Sequence, residues 1–109
     1  MEFDHIARQV PDIAGAVDWY RQWIPSTEVL YQDPTWALIE ADGVRLAFVT
    51  ASQHPDHIAW RVSNAELDQM AAARGTTISV HRDASRSFYM DGPGDTVIEI
   101  VAYPNDKRP

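Results

Sequence analysis

Asp4-His5-Ile6-Ala7 returns as Asp56-His57-Ile58-Ala59, and Val10 returns as Val62 at the same offset of 52. A four-residue repeat in so short a chain points to a duplicated unit with its two histidines in equivalent places. Glu99 sits in Val97-Ile98-Glu99-Ile100-Val101, where a carboxylate is costly to bury unless it is paired or bound to a metal. Two imidazoles and one carboxylate brought to one face suit a divalent metal with open coordination positions. Such a facial triad favours non-haem Fe(II) and leaves room for substrate and oxygen, although Zn and Mn accept the same donors.

The elements that must position these residues also come twice. Asp12 and Asn64 are candidate N-caps, each just after a strand and before a helical stretch. The first helix is predicted from about Ile13 to Trp23, with Ile13, Ala16, Val17 and Tyr20 at helical spacing and Pro25 closing it. The second runs from about Ala65 to Arg74, with Leu67, Met70 and Ala71 on one stripe and Gly75 beyond its end. Three strand candidates follow each helix: TEVLYQ, TWALIEA and VRLAFVT, then TTISVHR, RSFYM and TVIEIVAY. Tight turns at ADG and DGPGD precede the last strand of each half. TASQHPD joins the halves, and PNDKRP reads as a frayed tail. The fold class is therefore α+β, two βαβββ modules over about 1–51 and 55–103 of a single domain, forming a curved mixed sheet (an incomplete barrel) with helices outside.

Strand alternation assigns the faces. Ile58 and Trp60 are expected toward the helix, leaving His57, Ala59 and Arg61 on the other side. Ile78 and Val80 leave Ser79 and His81 there; Phe88 and Met90 leave Ser87 and Tyr89; Ile98 and Ile100 leave Glu99. Ile6 against its helix leaves His5 opposite. The helix-free, concave face thus collects the reactive side chains. Trp19, Trp23, Trp36 and Trp60 read as core or interface, and His54 in the linker as a surface residue.

The double βαβββ layout, with histidine on the first strand of each half and Glu99 on the last, resembles the vicinal oxygen chelate superfamily of glyoxalase I, bleomycin-resistance proteins and extradiol dioxygenases. The resemblance covers about Phe3 to Tyr103. Glyoxalase-type members place a fourth ligand on the last strand of the first half; register puts Ala47 there, so that ligand is missing. His5, His57 and Glu99 match the positions that ligate iron in type I extradiol dioxygenases. His81, Phe88-Tyr89, Pro93 and Glu99 track the extradiol signature, with departures at Gly92 and Asp95 in the turn. The resemblance is closest to single-domain members such as L-DOPA dioxygenase. It implies Fe(II) (with Mn, Zn or Ni as alternatives), a small catechol and O2 as substrates, His81 in acid/base work and Tyr89 on the catecholate. An amino-acid catechol would need a cation for its carboxylate, for which Arg61 and Arg45 have pocket-facing parity. The alternatives are a metal-dependent lyase or isomerase, and a non-catalytic drug-binding protein of the same fold.

Composition narrows the classes further. The net charge is −7 with Lys107 the single lysine, which argues against nucleic acid as a partner. There are no cysteines, so thiolate ligands and disulfides are excluded. No apolar run approaches the length of a membrane span, and the polar N-terminus does not resemble a signal peptide. A cytoplasmic protein is expected, with module pairing within one chain or across a homodimer left open.

Overall fold

The chain folds as β1 (Glu2–Gln9), α1 (Ile13–Trp23), β2 (Glu28–Gln32), β3 (Trp36–Ala41) and β4 (Val44–Val49), then β5 (His57–Arg61), α2 (Asn64–Arg74), β6 (Ser79–Val80), β7 (Arg86–Asp91) and β8 (Val97–Ala102). The computed structural model describes residues 1–108. This is the α+β, twice-βαβββ order expected from the repeat. By contacts the chain divides into two units, His5–His57 and a second that joins Met1–Asp4 to the chain from Ile58 onward.

In the first unit β1 runs parallel to β4, while β3 pairs antiparallel with both β4 and β2. Ile13 and Val17 of α1 pack on Ala37, Ile39 and Phe48, with Ala16, Tyr20 and Leu46 against them. The opposite face carries Ala7, Leu38, Ala47 and Trp36. Asp42 (φ 51°) and Gly43 (φ 79°) both take left-handed backbone in the turn that pairs Ala41 with Val44, as a two-residue hairpin of this hand demands.

The second unit repeats the pattern. β5 is parallel to β8, β8 antiparallel to β7, and β7 to the short β6. Leu67 and Ala71 of α2 pack on Phe88, Ile100 and Ala102, with Met70, Ile78, Met90 and Ile98 at the margin. Ala59, Val101 and Tyr103 form the core of the other face. The offset of 52 holds in the ladder itself: Ile6 and Ala7 face Leu46 and Ala47, and Ile58 and Ala59 face Ile98 and Glu99. Ala47 and Glu99 are therefore equivalent positions, and only one of them carries a donor.

Several expectations are corrected. Ser63, not Asn64, caps α2: its Oγ accepts the Glu66 amide at 3.1 Å, whereas Asn64 Nδ2 donates to Tyr103 O and Asp106 Oδ1, both at 2.8 Å. Asp12 occupies the N-cap position of α1 without a side-chain hydrogen bond. The TTISVHR strand shrinks to two residues. Asp83 Oδ1 accepts from the Ser85 amide and hydroxyl, Ala84 takes φ 66°, and the chain turns away before His81 can join the ladder. Val80 is exposed, and Trp60 lies outside the α2 core, edge-on to Phe3 at 5.9 Å. Trp19 and Trp23 are exposed on α1. The tail is anchored as far as Arg108: Asn64 N donates to Asp106 Oδ1 at 2.7 Å, and Arg108 donates to Asp4 O at 3.0 Å. Pro109 lies outside the described residues.

Candidate metal centre

His5 lies within β1 and His57 opens β5, and both belong to the first unit. Their Nε2 atoms are 3.4 Å apart, with the rings edge-to-face. His57 is buried, and its Nδ1 is 2.7 Å from the Pro55 carbonyl oxygen. A carbonyl only accepts, so Nδ1 carries the proton and Nε2 of the neutral ring turns a lone pair toward His5. Two nitrogens each about 2.0–2.1 Å from one tetrahedral ion lie about 3.3–3.4 Å apart. The separation of the two Nε2 atoms thus matches that of two donors on one ion. His54, placed by a turn that returns its amide to Thr50 O, has its ring centroid 6.4 Å from that of His57. It is partly buried, closer to the pair than a linker position suggests.

Glu99, His81 and Tyr89 belong to the second unit. Glu99 is buried on β8 between Ile98 and Ile100, whose side chains turn toward α2. Tyr89 is its register partner on β7 and hydrogen-bonds to its carboxylate. Burial pushes the Tyr89 phenol well above the ordinary tyrosine range, and the Glu99 charge and hydrogen bond raise it further. His81 Nε2 lies 3.7 Å from Glu99 Oε2 and 2.7 Å from Ser87 Oγ. His81, Tyr89 and Glu99 thus converge as alternation requires, although His81 reaches the group from a turn and not from a strand.

The two arginines are held by acids. Arg45 pairs with Glu40 at 3.5 Å, directly across β3 and β4. Arg61 pairs closely with Glu2 and lies 3.9 Å from Asp4. Asp4 itself is buried and accepts from Tyr103 Oη at 2.5 Å. Sequence reasoning gave no role to Asp4, Ser87 or the Pro55 carbonyl. Ser87 was readable from its parity beside Tyr89. The partner of Asp4 is 99 residues away and left no local signal.

Burial raises the Tyr103 phenol too, and the Asp4 charge and hydrogen bond add to it. An acid that keeps its proton longer when folded contributes stability that is complete below the unfolded value, about 10, and is lost as pH rises beyond it. Tyr89 and Tyr103 are both raised and both contribute in this window. Denaturant unfolding should show stability falling from about pH 10 upward, and Tyr103→Phe should flatten that fall. Equal slopes for parent and variant would refute the assignment.

No family model matches the chain, and no curated protein does. Among solved structures it is similar to an NAD-dependent benzaldehyde dehydrogenase from Legionella pneumophila, with a TM-score of 0.71 and 15% identity over 91% of this chain and 97% of that one. A hypothetical protein from Bacillus halodurans gives a TM-score of 0.71 at 14% identity, covering 99% and 98%. A glyoxalase/bleomycin resistance protein/dioxygenase superfamily member from Vibrio splendidus gives 0.61 at 14% identity, covering 91% and 97%. The class defined here is an α+β protein of two βαβββ modules. In particular, the fold is that of the glyoxalase/bleomycin resistance/dioxygenase superfamily. At these identities the likeness extends to the fold. Among the described residues, no helix is long and apolar enough to cross a membrane.

Proposed function

We propose that His5, His57 and Glu99 together hold a divalent metal, and that the chain is an Fe(II)-dependent extradiol dioxygenase acting on a small catechol. The observation that carries this reading is the donor set: two imidazoles meeting through Nε2 and a buried carboxylate with two proton-bearing groups gathered on it. When bound, the metal would chelate both catechol oxygens, make the ring electron-rich and bring O2 beside it. The Pro55 carbonyl fixes the ligating tautomer of His57. Tyr89 orients Glu99, and on substrate binding its hydroxyl would turn its one proton from Glu99 to a catecholate oxygen. His81, against the same carboxylate, moves protons during ring opening. Arg61 and Arg45 would receive a substrate carboxylate, such as that of an amino-acid catechol, by exchanging their present acidic partners.

A Zn-, Ni- or Mn-dependent lyase or isomerase is the second reading; for Zn it is favoured by an Nε2 separation that suits a tetrahedral ion. Oxygen uptake separates the two. Anaerobically iron-loaded protein given a panel of catechols should consume one O2 per ring and form a yellow semialdehyde. His81→Ala should keep metal and catechol binding yet lose about 10²–10⁴-fold in turnover. No oxygen uptake by the loaded parent would favour the lyase or a binding protein, and unchanged turnover in the variant would remove His81 from the mechanism.

A further inference from the structure

Ser87 is the second residue of β7 and has no exposed surface; it lies on the face opposite the α2 core that takes Phe88 and Met90. Its register partner is Val101, itself buried. Packing alone would be met by alanine, so the hydroxyl is the feature to explain. Oγ is 2.7 Å from His81 Nε2, a full hydrogen bond, whereas the same Nε2 stands 3.7 Å from Glu99 Oε2, beyond one.

His81 has no strand ladder to hold it. Its amide donates to Ser85 O at 2.8 Å and its carbonyl accepts from Ala84 N at 2.9 Å, which fixes the turn but not the imidazole.

From this geometry we infer that Ser87 is a positioning residue that holds the His81 imidazole beside Glu99. A serine hydroxyl can accept from a ring nitrogen that carries hydrogen and donate to one that does not. It can therefore partner Nε2 in either tautomer without moving the ring. Alanine can do neither, and a carboxylate at that place would favour one tautomer only. The inference rests on the proposed role of His81 in the dioxygenase reading.

The test uses the full chain as parent, Ser87→Ala and Ser87→Thr, with two readouts. Long-range imidazole 15N NMR of the metal-free protein should show the His81 ring nitrogens displaced in Ser87→Ala, with those of His5, His54 and His57 unchanged. In iron-loaded protein, Ser87→Ala should lower kcat on the best catechol by about tenfold or more with KM within about twofold and metal content at the parent level. Ser87→Thr, which keeps the hydroxyl, should recover most of kcat. Superimposable His81 resonances in parent and Ser87→Ala would overturn the inference, as would an unchanged kcat, or a loss of kcat that tracks lost metal or a lowered melting temperature. Should the parent take up no oxygen, the dioxygenase reading fails, and the NMR comparison still decides whether Ser87 positions His81. If Ser87→Thr does not fold, the NMR comparison of parent with Ser87→Ala decides alone.

Discussion

Alanine at His5, His57 or Glu99 should each remove tight metal binding while leaving a folded protein. Partners in the outer shell of a metal site are worth about 10–100-fold in affinity, so loss of one of three direct donors should exceed about 100-fold. In the metal-free protein Glu99→Ala should be destabilising, because it takes the acceptor from the Tyr89 hydroxyl, whereas Glu99→Gln should run the other way. A carboxylate buried between Ile98 and Ile100 is held at a desolvation cost, which Glu99→Gln relieves while keeping an acceptor for Tyr89. The metal-free Glu99→Gln protein should therefore melt at or above the parent temperature, although it no longer retains Fe(II), Zn or Mn after gel filtration. Metal analysis and calorimetry on the same samples check both halves. Full metal content in all three alanine variants would mean that these residues are not the ligands.

Substitutions of the two repeated aspartates should have very different effects. Asp4→Ala should lower the unfolding free energy by about 2–3 kcal/mol, because it strips the buried Tyr103 hydroxyl of its acceptor and takes the central anion from Arg61 and Arg108. Asp56→Ala should cost less than about 1 kcal/mol. The Asp56 side chain is 45% exposed, pairing with Arg8 at 3.1 Å and accepting from the Gln9 amide at 2.6 Å, and water can replace it. Asp4→Asn should recover part of the loss through the acceptor it retains. Equal costs at the two positions by urea unfolding would show that the buried cluster contributes nothing special.

The sequence by itself determined the parts that are local or repeated. Helical spacing placed α1 at the bounds it has and α2 within one residue, because each buries a single stripe against its own strands. Period-two alternation sorted the faces of β7 and β8, and the offset of 52 anticipated a ladder in which Ala47 and Glu99 are equivalent. A repeated Asp-His pair could not show that the aspartates have different fates, since that depends on what the fold brings to each: Tyr103, Arg61 and Arg108 to Asp4, Arg8 and Gln9 to Asp56.

Tertiary structure decided the rest, wherever a partner distant in sequence competed with a local preference. Asn64 is a good cap by type, but Tyr103 O and Asp106 draw its side chain away and leave the cap to Ser63. His81 reads as a strand residue until Asp83 turns the chain, after which its ring meets a buried serine hydroxyl and not a ladder. By parity Arg45 and Arg61 read equally as partners of the many acids and as cations for a substrate; the fold pairs Arg45 with Glu40 across the strands and Arg61 with Glu2 near Asp4. Periodicity reports which way a side chain points, because that follows from the backbone of its own strand. Which atom it meets there is set by segments folded in from elsewhere, and no local pattern encodes them.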